Sequence, residues 1–270
     1  MKRLGCQQGH ALDLGAAGLA PVSLGCRAAS ASTAGIEGEQ LDPAEVRSSV
    51  ARRLQLPLEP QQPRPSAKVD GLVQTLLTAT SDLEAPLSLN SLNTWHRSLF
   101  AAGPDGLRAI RIGELRGDEP MQVVSGPIGR ETLHVQAPAR QGLEAALQHL
   151  IDWFNAPPEG LDGLIRAGLS HLWLVTLHPY DDGNGRLARA LTDRALAQLA
   201  PEGLQVQHAL SLSTQIQLQR QQYYLQLAAL VPGAARRKRR TQQPCGGGRT
   251  CQSPVLVESS PPQLQSTPTE

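Results

Sequence analysis

Aromatic residues are scarce in this chain: two Phe, three Tyr and three Trp among 270 residues, with two Met beside them. A core with so few rings has to be filled by Leu, Ala and Val, and hydrophobic residues still make up 40% of the sequence. That combination points to helix packing. Cysteine is also sparse, and Cys6, Cys26, Cys245 and Cys251 all lie near the termini. No pair has zinc-type spacing, and a disulfide framework is not expected in a chain this long, so a reducing, cytoplasmic compartment is expected. No apolar run approaches membrane-spanning length. The opening Met-Lys-Arg leads into a segment broken by Gln7, Gln8, His10 and Asp13, which argues against a secretory leader and for a soluble protein without a membrane partner. Charge of one sign is missing too: 25 Lys and Arg against 24 Asp and Glu give a net charge of +1, so the global balance predicts neither a nucleic-acid coat nor an acidic partner.

What is present divides the chain into three. Residues 1–30 are Gly/Ala-rich and weakly patterned, residues 31–231 carry periodic apolar segments, and residues 232–270 are a Pro/Gly/Ser/Thr/Gln-rich tail that cannot bury a core and reads as disordered. Within the middle part, Asp42 as N-cap, Pro43 at the first helical position and Glu45 at the capping-box position start a helix carrying Val46, Val50 and Leu54. A second helix runs through Leu72, Val73, Leu76 and Leu77, and a third buries Leu92, Trp95, Leu99 and Phe100 before Gly103. "GLEAALQHLIDWF" makes a fourth. "LDGLIRAGLSHLWLVTLHP" is apolar nearly all round, which predicts a buried, central fifth helix that stops where Pro179 disfavours helix at His178. A sixth begins near Gly185, and "LSTQIQLQRQQYYLQLAAL" makes a seventh. One extended stretch stands out, where Val123 and Val124 precede the turn "GPIG" and Leu133 and Val135 follow it. The expected fold is all-α: a helical bundle around a central buried helix, with one β-hairpin.

Between the fifth and sixth helices lies "HPYDDGNGRLAR", residues 178–189. A helix N-terminus offers unpaired N–H groups and a positive dipole end to an anion. Gly183 and Gly185 let the loop wrap closely around it, and Arg186 and Arg189, three apart on one helix face, suit phosphate through their planar donor forks. Asp182 would oppose an anion unless a divalent cation sat between them, so it reads as a ligand to Mg²⁺ bridging phosphates. His178, at the lip of this cradle and titrating near neutrality, reads as a general base for an incoming nucleophile.

These residues resemble the signature of the Fic (filamentation induced by cAMP) family, H-x-F-x-[DE]-G-N-G-R-x-x-R, with Tyr180 where Phe is usual. "LNTWHRSLF" and "MQVVSGPIGRETLHVQAP" look like further segments of such proteins, and the resemblance spans residues 31–226. It implies an adenylyltransferase that moves AMP from ATP to a Ser, Thr or Tyr hydroxyl of a protein. By that likeness His178 is the base and Asp182 holds Mg²⁺. Asn184 cradles phosphates with the Gly183 and Gly185 amides, Arg186 binds the phosphate chain, and Arg189 binds the γ-phosphate. The hairpin, Met121 to Val135 with Val123, Val124 and Leu133, becomes a flap that clamps the target backbone by β-augmentation. "TAGIEG", residues 33–38, fits the family's inhibitory pattern, with Glu37 as the acid that would occupy Arg189. Dimerisation is common in the family, so a homodimer is allowed for. More helical sequence would be expected after Leu230, where the low-complexity tail begins instead. Two other readings stay open: removal of AMP from a modified protein by the same site, and a truncated module that binds a nucleotide without turnover. The basic run Arg236–Arg240 reads as a solvated cluster, and His96, His134, His149, His171 and His208 make no metal spacing.

Overall fold

Helix starts in this protein are fixed by side chains that take up orphan backbone N–H groups. Asp42 accepts from Ala44 N, Ser66 from Val69 N, Ser88 from Ser91 N, and Asp162 from Leu164 N and Ile165 N. The computed structural model describes residues 15–58, 60–104, 109–119, 121–125, 132–199, 212–230 and 255–257. In chain order these form α1 (Gly15–Ile36), α2 (Pro43–Arg53), α3 (Ala67–Ser81), α4 (Leu89–Leu99), β1 (Gln122–Ser125), β2 (Thr132–Gln136), α5 (Leu143–Asn155), α6 (Gly163–Leu177), α7 (Asn184–Ala197), α8 (Leu212–Leu218), α9 (Arg220–Leu230) and β3 (Val255–Val257). The expected helical bundle is present, with the hairpin beside it.

Glu45 does not close a capping box on its own helix. Its carboxylate accepts from the backbone N and hydroxyl of Ser66, at 2.8 and 2.7 Å, and so braces the cap of α3 from α2.

Burial differs from the sequence expectation in the two helices that matter most. α6 packs against α7 through Leu174, Val175 and Leu177, yet its first turns leave Leu164, Ile165 and Leu169 exposed. Apolar periodicity states what a helix could bury, not what its neighbours cover. The more deeply sunk helix is α7, which packs on α3, α4, α6 and α8 and has Leu187, Ala188, Ala190, Leu191 and Ala195 fully buried. Truncating Leu187 or Leu191 to Ala would cost about 2–5 kcal/mol. Arginines disguise this helix as polar. Arg194 is buried, and its guanidinium donates to the carbonyl oxygens of Ala79, within the last turn of α3, and Ala85, beyond its end.

The division at residue 31 falls inside α1, whose Cys26, Ala29 and Ser30 are already buried. Small residues carry almost no amphipathic pattern but allow close approach: a Cβ on Gly35 would lie 2.8 Å from the Gln217 side chain of α8. α1 thus belongs with the helical core and packs on α2, α3 and α8.

β1 and β2 pair antiparallel, Val123 opposite Val135 and Val124 opposite Leu133, with a bulge between Val123 and Val124. The hairpin base is closed by Ala137 N donating to Met121 O at 3.0 Å, and Met121 is buried. β3 pairs parallel to the other edge of β1, so Val255–Val257 is a strand within the tail expected to be disordered. The rest of that tail, the Arg236–Arg240 run, His208 and the hairpin connection 126–131 lie outside the described residues. Among the described residues no helix is long and apolar enough to cross a membrane.

Candidate active site

The loop from His178 to Gly183 turns the chain from the end of α6 into the start of α7. His178 is the C-cap of α6 and adopts the left-handed conformation (φ 48°, ψ 58°), which a side chain other than Gly or Asn seldom does. Its N–H donates to Leu174 O, its carbonyl accepts from Arg116 Nε at 2.9 Å, and its Nδ1 stands 3.3 Å from Val175 O. A carbonyl can only accept, so the neutral ring carries its proton on Nδ1 and keeps the Nε2 lone pair free. Burial lowers the imidazole pKa to about 4; the Val175 contact and Glu37 oppose this, and Arg116 adds to it. The expected titration near neutrality is therefore displaced, and the ring is neutral at pH 7.

Gly183 is the N-cap of α7 at φ 76°, and a Cβ there would lie 3.0 Å from the Phe100 ring, so position 183 requires glycine on both counts. Asn184 is not free to cradle a ligand with its side chain. Its Oδ1 accepts from Tyr180 N at 2.9 Å and its Nδ2 donates to Tyr180 O at 2.8 Å, so the amide staples the loop to itself. What remains for an anion is the backbone N–H groups of the first turn of α7.

Asp182 is the most open of the motif's charged side chains, at 44% exposure. Its Oδ1 caps Gly183 N at 2.6 Å, and its Oδ2 stands 3.7 Å from Arg186 Nη2. No group of three His, Cys, Asp or Glu able to hold a metal occurs among the described residues. A lone outward-facing carboxylate nevertheless suits Mg²⁺, which keeps several waters and completes its shell with substrate phosphates. Arg186 lies with its guanidinium 5.0 Å above the Phe100 ring, and its buried Nε has no hydrogen-bond partner among the described residues.

Arg189 is 2% exposed and fully engaged. Its Nε donates to Thr33 Oγ1 at 2.5 Å, and its Nη2 donates to Glu37 Oε1 at 2.5 Å and to Thr33 O at 3.4 Å. Burial alone would raise the Glu37 pKa, but Arg189, followed by Arg186, outweighs it and holds the carboxyl below its usual range. Gly185 makes this possible, because a Cβ there would sit 3.1 Å from both Arg189 Nη1 and Glu37 Oε1. The close approach that the sequence suggested for a ligand is filled by a carboxylate of the chain itself.

Three supporting residues had contacts that the sequence did not signal. Thr33 is the first residue of the Glu37 pattern, but nothing marked its hold on Arg189. His96 accepts Gly113 N–H on Nδ1 at 2.8 Å, which leaves its Nε2–H to donate to Asp182 O at 3.1 Å. It also stacks on Tyr180, with ring centroids 4.3 Å apart. Tyr180 is fully buried and donates to Asn93 Oδ1 at 2.8 Å, so the Tyr at that position gains a partner that Phe could not use. Arg116, fully buried, touches the loop twice.

Residues 86–196 match the Fic/DOC family. This span holds α4 to α7, the hairpin and the whole motif loop. The chain carries a Fic domain over this span. Over 60 residues it is 43% identical to "Protein adenylyltransferase Fic" of Nematostella vectensis, a stretch that makes up 22% of this chain and 14% of that one. The Fic fold is shared with a Fic family protein from Desulfovibrio desulfuricans, with a TM-score of 0.54 at 19% identity over 77% of this chain and 57% of that one. It is shared equally with a Fic domain containing signaling protein from Bacteroides thetaiotaomicron, with a TM-score of 0.51 at 18% identity over 74% and 70%. The chain thus spans a small fraction of the curated relative's length and little more than half of the first structural neighbour.

Proposed function

We propose that this Fic protein transfers AMP from ATP to a hydroxyl of a protein side chain and that Glu37 restrains the reaction. The observation that carries this reading is the juxtaposition at the start of α7: the first-turn N–H groups and the Arg186 guanidinium lie one loop away from a histidine held neutral with its proton on Nδ1. The adenylyltransferase name of the Nematostella relative supports the same reaction class.

The first turn of α7 and Arg186 bind the phosphate chain and orient the α-phosphorus. The acceptor hydroxyl oxygen attacks that phosphorus, its proton passes to His178 Nε2, and the bond to the pyrophosphate oxygen breaks as pyrophosphate leaves. Mg²⁺ held by Asp182 would neutralise charge on the phosphates. Arg189 is suited to the γ-phosphate but is occupied by Glu37, and the two anions compete for one guanidinium. The target would be presented by strand addition to the hairpin. Since β3 covers the outer edge of β1, the edge of the hairpin that no described strand pairs is that of β2.

Incubation with ATP labelled at the α-phosphate, Mg²⁺ and cell lysate tests this, using wild type and Glu37→Gly. Label on protein with pyrophosphate release is expected. Loss of label from pre-modified protein would assign the reverse reaction instead, and nucleotide binding with neither would leave a binding module.

A further inference from the structure

Arg116 lies in the irregular segment before the hairpin, and among the described residues the guanidinium hydrogen bonds of its buried side chain go to backbone carbonyls. Nε donates to His178 O at 2.9 Å and Nη2 donates to Pro138 O at 2.6 Å, just past the end of β2. Its own backbone N–H donates to Pro179 O at 2.9 Å, and its carbonyl accepts from Arg140 Nε at 2.7 Å. Arg140 in turn pairs with Glu144 at the start of α5.

The His178 carbonyl needs such a partner. It leaves the helix through a left-handed residue followed by a proline, so no helical N–H is available to it, and it is buried. Without a donor it would carry the cost of an unsatisfied polar group, and the unfavourable φ of 48° would lose one of the bonds that hold it. An extended or helical φ at residue 178 would swing the ring away from Val175 O, the contact that places the proton on Nδ1.

We propose that Arg116 is a positioning residue that fixes the aim and tautomer of His178 and ties it mechanically to the exit of the hairpin flap. The proposal rests on the reading of His178 as the base. One rigid fork spans the residue that takes the proton and the element that would present the hydroxyl, so the distance between them is set by one side chain. Arg116 is also one of two charged side chains that bear on the His178 imidazole, with Glu37 acting in the opposite sense.

The test compares Arg116→Met and Arg116→Lys in the Glu37→Gly background. It uses full-length protein and two readouts: AMP transfer at saturating ATP, and NMR titration of histidine labelled with ¹⁵N in the ring. In Arg116→Met the rate should fall roughly a hundred-fold, as for a misplacement near 1 Å, with the ATP dissociation constant unchanged. The Nδ1–H signature of His178 should become a tautomer mixture, and its titration midpoint should move up as a neighbouring positive charge is removed. Arg116→Lys keeps the charge but can reach only one carbonyl, so it should lose about ten-fold in rate while the midpoint stays low. If Arg116→Met does not fold, the lysine variant decides alone. An unchanged tautomer and rate in the lysine variant, or parallel loss of ATP binding and rate in the methionine variant, would overturn the proposal. If Glu37→Gly itself transfers no AMP, the base reading has failed, and the NMR signature still decides whether Arg116 sets the state of His178.

Discussion

Three residues apart on one helix, Arg186 and Arg189 stand in opposite circumstances. Arg189 faces α1 and has two acceptors, Thr33 and Glu37, with scarcely any exposure. Arg186 faces the motif loop, lies on the Phe100 ring, and keeps a buried Nε without a partner among the described residues. The inner end of the cradle is closed by an anion from the chain, while the outer end faces the motif loop. An arginine pair at i and i+3 thus sits in two environments, and the difference comes from what packs against each side chain.

The largest expected effect strikes both ends at once. His96 and His178 at the outer end and His171 at the inner end are all buried, and burial lowers each pKa from 6.5 to about 4. For each, the unfolded chain takes up a proton below pH 6.5 that the folded state refuses until about pH 4. Stability is therefore unaffected above 6.5 and falls as pH drops through this window. At pH 4.5 each group costs about 2 kcal/mol, and three together approach the 5–15 kcal/mol of a whole domain. Urea unfolding at pH 7.5, 5.5 and 4.5 should show a steep loss below 6. A flat midpoint down to pH 4.5 would mean these rings titrate in the native state.

Next in size is the outer end alone. His178→Ala should lower AMP transfer by roughly a hundred- to ten-thousand-fold, the range for a positioned general base, while ATP binding, which relies on the start of α7, is retained. Asp182→Ala should abolish the response to added Mg²⁺ along with activity. Near wild-type transfer by either variant would remove that residue from the chemistry.

Opening the inner end should work in the other direction. Glu37→Gly frees Arg189 and should raise AMP incorporation by about a hundred-fold, the scale of a 1 Å correction in the position of the reacting phosphorus. Adding Arg189→Ala should abolish the gain. Equal incorporation by wild type and Glu37→Gly would make the ion pair a structural contact without control over turnover.

The two ends were unequally legible in the sequence. The outer end is local: glycine where φ is positive, a cap and a helix start all fall within residues 178–189, so the loop could be read from its own residues. The inner end joins residues 152 apart and could be anticipated only through the Fic resemblance. Asn184 misled because an amide can serve a ligand or its own loop equally well, and only the position of Tyr180 decides. Arg116 and His96 were invisible because their partners are backbone carbonyls and amides, which no side-chain pattern encodes. The part of α1 before residue 31 went unread for a related reason: Gly and Ala make a close-packing surface without a hydrophobic stripe.

The smallest effect separates the two carboxylates that bear on Arg189. Glu37 is hydrogen-bonded and its pKa is lowered, whereas Asp193, one turn further along α7, has a buried Oδ1 with no partner among the described residues and a pKa raised to about 7, with burial outweighing the pull of Arg189. It acts across the helix interface on Cys26 of α1, whose thiol burial already pushes to about 12. A raised carboxyl costs stability in the opposite pH range from the histidines. The unfolded chain ionises above 3.8, the folded state resists until about 7, and the penalty is complete only above 7. Asp193→Asn should therefore stabilise the protein by about 1 kcal/mol at pH 8 and by clearly less at pH 4, where the folded state holds the protonated acid and the unfolded acid is only partly ionised. The residue as a whole is partly exposed, which is why the expected gain is kept well below the full shift. Urea midpoints of the two proteins at both pH values check this. The same gain at both pH values would trace the effect to packing, and no gain at pH 8 would show that Asp193 reaches water or a partner when ionised.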